Sequence, residues 1–537
     1  MLFVLVPAIS VNAQISLTLS DADQQSLTFT HTYPGVNDII VRYGSAAPLS
    51  EEVMINDCPS PCSFQIEDLD PASFYFVEIR PAGNPAFILL QGYFSTTSLS
   101  SGDIKVYFTR EIDTTISSGS TSEGNTGEIL ESTVIQLINE AQSTIDITMY
   151  NINRRPIADA LSAAYNRGVR VRYITGDDTN NTALRNPDVP FPVLEGNEGS
   201  PLMHNKFLIF DAADPNRCQI LTGATNFTQG QIFDDYNNLV MIQDQSVALI
   251  FQMEFEEMWG SSGALPDIGN SKFGSRKSDN TPHQVKVGNT WMEIYFSPSD
   301  QTTFQIDKQL RRAQNDISCA LLLITRNELA NALLQMHQRG IQVRGLVNNI
   351  NDNGSDFGFL QANGVNFWQY DEGDILHHKY AIIDAISDLG SPVVITGSHN
   401  WTTAAEEVND ENTLIIHDAT IANIFLQEFQ ARWCEVRPGS TCRLTSIDET
   451  QILHSHLKGH YESSSSVLHV FSDKSFEANA IYLYDIQGRI IMGSKLNLLF
   501  SENYSTKVEL PQLPAGAYFV KVQEKENSHL IKIVVAE

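Results

Sequence analysis

Two short histidine–lysine pairs, set far apart in the chain, carry the residue types for chemistry at a phosphodiester. His204 and Lys206 form the first pair, and His377 and Lys379 form the second, 377 − 204 = 173 residues later. An imidazole can attack phosphorus and form a covalent phosphohistidine, which divides one difficult step into two. A second, protonated imidazole can give its proton to the leaving oxygen, while lysines stabilise the charge on the other oxygens. We expect these four side chains to be catalytic, in a reaction that requires no metal ion.

Each pair runs into an apolar stretch and then an aspartate, so that both copies read HxKxxxxD. The stretches FLIF and YAII predict that both motifs lie on β-strands. Residues two apart face the same side of a strand, so each histidine should project together with its lysine. Asp211 and Asp384 come five residues after the lysines, on the other face or at the strand end. This position predicts that the aspartates support the site structurally and do not form a third catalytic group.

A second β-rich stretch follows each motif, ILTGATNFT in the first copy and VVITGSHNWT in the second. These stretches carry Asn226 and Asn400 at corresponding points. We expect both amides to point at one pocket and to donate to phosphate oxygens. Ser398 stands in the second copy where the first has Ala224, and we place it with the substrate-binding residues.

The elements that must position these side chains form an internal repeat. The first copy begins with IKVYFTR at Ile104 and the second with MEIYFSP at Met292. In both, a helix with apolar residues three and four apart runs into Arg-Gly and then a β-branched strand. Both copies end on a helix with two phenylalanines and a tryptophan spaced four apart, which predicts a face packed on the core. This duplication predicts two α/β units related by a pseudo-twofold axis, with a site between them.

The doubled HxKxxxxD motif, with GATN and GSHN downstream, resembles the phospholipase D superfamily over residues 104–445. The resemblance implies a duplicated α/β sandwich with the active site between halves 104–277 and 285–445, and no cofactor. It also implies that His204 and His377 are the catalytic pair. Lys206, Lys379, Asn226 and Asn400 would then bind the phosphate.

The resemblance also assigns the supporting residues and the roles of the two histidines. Glu411, in NDEN, matches the acidic residue that orients a histidine of the other half. The first copy offers Tyr236 in DDYNN, a weaker orienter that would leave His377 more easily protonated. Members of the superfamily generally use the histidine of the N-terminal copy as nucleophile. The expectation is therefore that His204 is the nucleophile and His377 the general acid.

Composition limits what the protein can bind. The chain has 537 residues, with 34 lysines and arginines against 64 aspartates and glutamates, and a formal charge of −30 at pH 7. A length of this size predicts several domains. The charge excludes a basic nucleic-acid footprint over the whole chain, so an anionic substrate needs a local basic patch. No apolar run is long enough to predict a transmembrane helix.

The flanking segments predict export. Residues 1–13 resemble a signal peptide, although the basic start is missing. Residues 15–98 show short alternating runs typical of a β-sandwich and resemble a fibronectin type III module. Residues 460–537, with YDIQGRIIMG and LPAGAYFVKVQ, resemble the C-terminal sorting domain of the type IX secretion system. Two close cysteine pairs, 58 with 62 and 434 with 442, fit local disulfides in an oxidising compartment, whereas Cys218 and Cys319 are expected to be free and buried.

Three functions remain open from the sequence. The first is a secreted or surface-attached phospholipase D-type phosphodiesterase of a Gram-negative cell, which releases phosphatidic acid from a phospholipid. The second is a secreted nuclease of the same superfamily, which the charge disfavours. The third is a surface-binding protein with inactive halves, which two intact histidine–lysine pairs disfavour. In each case we expect a monomer, because both half-sites lie in one chain, and the type IX secretion machinery as a partner.

Overall fold

The computed structural model describes residues 16–437 and 457–535, apart from short internal gaps. These gaps are at 47, 177–179, 186, 197–200, 387–389, 463–465, 473–479, 485–489, 495–497, 503–504, 511, 514–515 and 524–527. The predicted signal peptide at 1–13 lies outside the described residues. Four bodies follow one another along the chain: a β-sandwich, two α/β halves and a C-terminal β domain.

The N-terminal module is a sandwich of two antiparallel sheets. Its strands are β1 (Leu17–Ala22), β2 (Leu27–His31), β3 (Ile39–Gly44), β4 (Glu51–Ile55), β5 (Cys62–Ile66), β6 (Phe74–Pro81) and β7 (Leu90–Ser95). The sheets have the orders β1-β2-β5 and β4-β3-β6-β7. Phe29 and Phe94 pack edge to face between them, with ring centroids 5.1 Å apart. A β-sandwich is therefore confirmed here, whereas the likeness to fibronectin type III modules stays a prediction.

The first α/β half is built on one mixed sheet. Its strands are β8 (Asp103–Phe108), β9 (Thr144–Met149), β10 (Arg170–Thr175), β11 (Val193–Glu195), β12 (Lys206–Phe210), β13 (Gln219–Gly223) and β14 (Asn238–Gln243). Its helices are α1 (Gly127–Glu140), α2 (Arg155–Asn166), α3 (Thr182–Arg185), α4 (Gln229–Phe233) and α5 (Gln245–Trp259). The sheet order is β11-β10-β9-β12-β13-β14-β8. Strands β9, β10 and β11 are parallel, and β12, β13 and β14 form an antiparallel meander.

The second half repeats this plan. Its strands are β15 (Gln284–Val287), β16 (Thr290–Ser297), β17 (Asp316–Leu321), β18 (Gln342–Val347), β19 (Asn366–Gln369), β20 (Lys379–Ile383), β21 (Val393–Gly397) and β22 (Glu411–His417). Its helices are α6 (Thr302–Leu310), α7 (Asn327–Gln338), α8 (Phe357–Ala362), α9 (Thr403–Glu407) and α10 (Ala419–Val436). The order β16-β22-β21-β20-β17-β18-β19 matches that of the first half, with β15 added at one edge. The duplicated fold is thus confirmed.

The two halves share one apolar core between their sheets. Helices α5 and α10 begin alike, because Asp244 and Asp418 each accept a hydrogen bond from a backbone N–H of the first turn. The aromatic faces of both helices are buried in this shared core, as predicted: Phe251, Phe255, Trp259, Phe425, Phe429 and Trp433. Burial of these faces against both sheets holds the halves at a fixed separation.

The C-terminal domain consists of two four-stranded antiparallel sheets. Its strands are β23 (Leu457–Glu462), β24 (Val467–Ser472), β25 (Ala480–Tyr484), β26 (Ile490–Ser494), β27 (Leu498–Glu502), β28 (Ser505–Glu509), β29 (Gly516–Gln523) and β30 (Ser528–Val535). The sheet orders are β23-β24-β28-β27 and β26-β25-β29-β30.

The described cysteines follow the predicted pattern. Cys58 and Cys62 form a disulfide, and Cys218 and Cys319 are free and buried. Cys434 is also disulfide-bonded, while residue 442 lies outside the described part of the chain.

Candidate active site

Both histidine–lysine pairs lie where a central strand begins. Strand β12 starts at Lys206 and β20 starts at Lys379, so His204 and His377 come two residues before the strands. The prediction that the histidines themselves lie in strands was therefore wrong. At these positions the backbone leaves its own sheet and reaches the other half.

Each histidine is tied to the opposite half through its backbone. The N–H of His204 donates to the carbonyl of Asp410 at 3.0 Å, and the N–H of His377 donates to the carbonyl of Tyr236 at 3.0 Å. Short bridges flank these bonds, Met203 with Asp410 and Leu376 with Tyr236. The loop that precedes β14 or β22 in one half thus positions the histidine of the other.

The lysine of each pair folds back on its histidine. Nζ of Lys206 donates to the carbonyl of His204 at 2.7 Å, and Nζ of Lys379 donates to that of His377 at 2.6 Å. Both lysines are fully buried, and burial lowers the pKa of Lys206 to about 7 and that of Lys379 well below its ordinary value. Burial thus disfavours the protonated form of both amines, and an anion that enters the site would stabilise that form.

His204 has a carboxylate partner from the other half. Its Nδ1 lies 2.7 Å from Oε2 of Glu411, which is fully buried. Although burial raises the pKa of Glu411, the charge and hydrogen bond of His204 hold that pKa below its usual value. Burial lowers the pKa of His204 to about 4, against the raising effect of Glu411. A neutral imidazole that donates from Nδ1 to a carboxylate keeps the lone pair of Nε2 free.

His377 has a neutral partner, and that partner is not the predicted tyrosine. Its Nδ1 lies 2.9 Å from Oδ1 of Asn237. The ring of Tyr236 instead packs edge to face on Tyr370, at 5.2 Å between centroids, with the guanidinium of Arg432 4.4 Å from its centroid. Burial and the charge of the paired lysine lower the pKa of His377 well below its ordinary value. The expectation that this histidine is easily protonated was therefore wrong for the free protein.

The asparagines that directly follow the histidine partners Asn237 and Glu411 show how the two copies of the repeat align. Asn238 in β14 and Asn412 in β22 occupy equivalent registers, one residue before the partners of Gly223 and Gly397. Asn237 is therefore the counterpart of Glu411. Aligning the repeats on these shared asparagines, in YNN and DEN, would have found Asn237 from the sequence.

The same two asparagines join the halves through side chains. Oγ1 of Thr222 donates to Oδ1 of Asn412 at 2.8 Å, and Oγ1 of Thr396 donates to Oδ1 of Asn238 at 3.1 Å. All four residues are buried. This symmetrical pair of bonds joins the two halves at the residues that directly follow the histidine partners Asn237 and Glu411, and sequence reasoning missed it.

Comparison with known proteins places this arrangement in a family. A family model described as "Cardiolipin synthase, PLD-like domain" matches residues 134–259 and again 306–433. A phospholipase D of Rickettsia bellii is 31% identical over 183 residues, which are 32% of this chain and 88% of that protein.

The chain belongs to the phospholipase D superfamily.

Other relatives share part of the superfamily domain. The mitochondrial cardiolipin hydrolase of Xenopus tropicalis is 36% identical over 133 residues, which are 24% of this chain and 60% of the relative. That of Mus musculus is 33% identical over 142 residues, which are 26% and 62%. The chain thus spans about three fifths of the length of these relatives. A phospholipase D family member, Nuc from Salmonella typhimurium, matches at a TM-score of 0.24 and 25% identity, over 27% of this chain and 94% of Nuc.

The C-terminal block belongs to a second family. Residues 464–536 match a secretion system C-terminal sorting domain. The protein is therefore secreted or attached to the cell surface. Within the described residues, none of the helices combines the length and apolarity needed to cross a membrane.

The remaining predicted substrate-binding residues of this superfamily member lie in the loops after β13 and β21. Oδ1 of Asn226 and Oδ1 of Asn400 are buried and have no hydrogen-bond partner among the described residues. The backbone N–H and the side-chain amide of Asn226 both contact Oε1 of Gln231, at 3.2 and 3.4 Å. Oγ of Ser398 accepts a hydrogen bond from the backbone of Asn412 at 3.0 Å. Substrate binding by these three residues stays a prediction.

Two further histidines near the site have other partners. Nδ1 of His378 accepts from the amide of Asn238 at 2.9 Å, and its Nε2 lies 3.1 Å from Glu428. Nε2 of His399 lies 3.5 Å from Glu406. Both rings are buried and engaged with the protein's own carboxylates, so we assign neither to catalysis.

The two motif aspartates brace the sheet and do not face the histidines. Asp211 follows β12 directly, with φ at 45°, and its carboxylate accepts backbone N–H groups of residues 142–144 at 2.7 to 3.0 Å. Asp384 follows β20 with φ at 55° and accepts those of residues 314–316 at 2.7 to 3.3 Å. Each aspartate therefore fixes the loop that enters the strand next to its own.

We expect Asp211→Ala to lower the free energy of unfolding of the α/β region by about 2–4 kcal/mol, because three backbone N–H groups lose their buried, charged acceptor. Urea titration followed by tryptophan fluorescence checks this, since all five tryptophans lie between residues 259 and 433. Asp188→Ala, at an exposed aspartate of the same half, is the control and should cost less than about 0.5 kcal/mol. Equal losses for the two variants would contradict the bracing role.

Proposed function

We propose that the protein hydrolyses the head-group ester of a phospholipid, releasing phosphatidic acid and an alcohol through a phosphohistidine. One observation carries this proposal. His204 and His377 come from opposite halves, each with a buried lysine, and the backbone N–H of each donates to a loop of the other half, which draws both histidines to the boundary between the halves. Such a site offers an attacking group, a proton donor and fixed positive charge around one anion.

In the first step, the free lone pair on Nε2 of His204 attacks phosphorus. The bond from phosphorus to the head-group oxygen breaks, and that oxygen takes a proton from Nε2 of His377. Lys206 and Lys379 stabilise the negative charge on the remaining phosphate oxygens. The products of this step are the free alcohol and a phosphatidyl group bound to His204.

In the second step, water replaces the histidine on phosphorus. His377, now neutral, accepts a proton from the attacking water, and the bond between phosphorus and Nε2 of His204 breaks. Phosphatidic acid leaves, and both imidazoles return to their starting states. The cycle consumes one water and requires only groups of this chain.

Charge favours a phospholipid over a nucleic acid as substrate. The chain carries a formal charge of −30, and the segment three to six residues before His377 exposes Asp371, Glu372 and Asp374. A polyanion that extends beyond the site would meet this negative surface, whereas a single head group would not. The relatives named as cardiolipin hydrolase and phospholipase D also support a lipid substrate.

The test is an assay panel in EDTA with phosphatidylcholine, phosphatidylethanolamine, cardiolipin, and single- and double-stranded DNA. We expect phosphatidic acid or its cardiolipin equivalent to form at the same rate with and without EDTA, because imidazole and lysine supply the chemistry. The variant His204→Asn, prepared in parallel, controls for contaminating enzymes. Cleavage of DNA alone would identify a nuclease, and turnover that needs an added divalent ion would contradict the two-histidine mechanism.

A further inference from the structure

We propose that Asn237 is the positioning residue of His377 and makes the two half-sites chemically unequal. His204 is backed by a carboxylate and His377 by a neutral amide, at the same point of the repeat. This inference rests on the proposed function in one respect, the use of His377 as the proton donor. It assigns two roles to Asn237. The amide fixes the tautomer of the His377 imidazole, and its lack of charge keeps that imidazole neutral until substrate binds.

The orientation of the Asn237 amide follows from its own bonds. Its Nδ2 donates to the carbonyl of Gln231 at 2.9 Å, and its backbone N–H donates to Oγ1 of Thr109 at 2.8 Å. Because the amide nitrogen is engaged by a carbonyl, Oδ1 must be the atom that faces His377, 2.9 Å from Nδ1. An amide oxygen only accepts, so Nδ1 carries the hydrogen and Nε2 carries the lone pair in the free protein.

The groups around His377 oppose a second proton. Four side chains that lie in or just before strands β12 and β20 act on it, and each is cationic or can become so: Lys379, Lys206, His204 and His378. Asp235 acts on Lys379, and the carboxylate of Glu411 is bonded to His204. A carboxylate in place of Asn237 would offset this positive field, but an amide does not. His377 is therefore neutral until an anion enters the site.

The substrate itself supplies the missing charge. When an anionic phosphodiester binds among the lysines, it favours the imidazolium, and His377 takes up one proton from solvent at Nε2. As the bond from phosphorus to the leaving oxygen breaks, this proton passes to that oxygen, and His377 is neutral again. The acid is thus formed only in the presence of substrate, whereas His204 stays neutral and ready to attack.

The experiment compares the titration of His377 by NMR in the full-length wild type, Asn237→Asp and Asn237→Ala, with the His377 signal assigned from a His377→Asn spectrum. We expect Asn237→Asp to raise the pKa of His377 by roughly 1–2 units, because a carboxylate favours the imidazolium. Gln229→Glu makes the same amide-to-carboxylate change at an exposed position of α4 and should leave the titration unchanged. In Asn237→Ala, the 15N signals should show loss of the single Nδ1–H tautomer.

Kinetics provide a second readout. For Asn237→Ala, we expect a fall in kcat of roughly 10²-fold on an ester with an alkoxide leaving group, and a much smaller fall on a nitrophenyl ester. Equal falls on both esters would overturn the inference. An unchanged pKa of His377 in Asn237→Asp would also overturn it. If Asn237→Asp does not fold, a retained Nδ1–H tautomer of His377 in Asn237→Ala would overturn the inference instead. The NMR readouts need no turnover, so an inactive wild type would refute the proposed function without deciding the role of Asn237.

Discussion

His204→Asn should form no phosphoenzyme, whereas His377→Asn should accumulate it on a substrate with a nitrophenolate leaving group. The reason is the different partner of each imidazole. Glu411 lies 2.7 Å from Nδ1 of His204 and fixes the tautomer that leaves Nε2 free to attack. Nitrophenolate leaves without protonation, so the first step does not need His377, but hydrolysis of the intermediate does. The steady-state turnover of His204→Asn should fall by about 10⁴-fold or more.

The measurement is a rapid quench in base, where a phosphoramidate survives, followed by mass spectrometry of the peptides that contain the two histidines. We expect a phosphorylated peptide that contains residue 204 in His377→Asn and none in His204→Asn. The circular dichroism and thermal unfolding of both variants should match those of the wild type. Phosphate on His377 in the wild-type chain would exchange the two roles while leaving the two-histidine site intact.

Glu411→Gln should lower kcat by about 10²- to 10⁴-fold, as expected when a carboxylate that orients a catalytic imidazole becomes an amide. Glutamine keeps the size of the side chain, so the buried contact with His204 can persist. The negative charge is lost, however, and it is the charge that stabilises the imidazole as positive charge develops during attack. The rate of phosphoenzyme formation should fall by the same factor, because attack by His204 is the affected step.

Glu407→Gln is the matched control for this substitution. Glu407 lies four residues earlier, with its side chain 57% exposed in an ion pair with Arg326, and exposed ion pairs contribute little. Its kcat should stay within about twofold of the wild type, as usual for an exposed ion pair. A Glu411→Gln variant with the wild-type rate of phosphoenzyme formation would show that Glu411 has no part in the attack.

Much of the fold was predictable because its signals are local. The apolar runs, the Arg-Gly helix ends and the aromatic faces of α5 and α10 each lie within a few consecutive residues, and they recur in the same order. Spacing also predicted the bracing aspartates, since Asp211 and Asp384 follow the ends of their strands and bond to neighbouring backbone. The duplicated His-Lys pairs indicated the chemistry without any knowledge of their distance in space.

The tertiary structure decided how the two halves meet, and with it the partner of His377. The bond of His204 to Glu411, which the family resemblance had assigned, joins residues 207 apart in the chain, and that of His377 to Asn237 joins residues 140 apart. For His377 we predicted Tyr236, and the register of β14 against its neighbours instead brings Asn237, one residue later, to the imidazole. A shift of one residue moves a side chain to the other face of a strand. The sequence therefore determined which residues could react, and the pairing of the two sheets decided which residue supports each histidine.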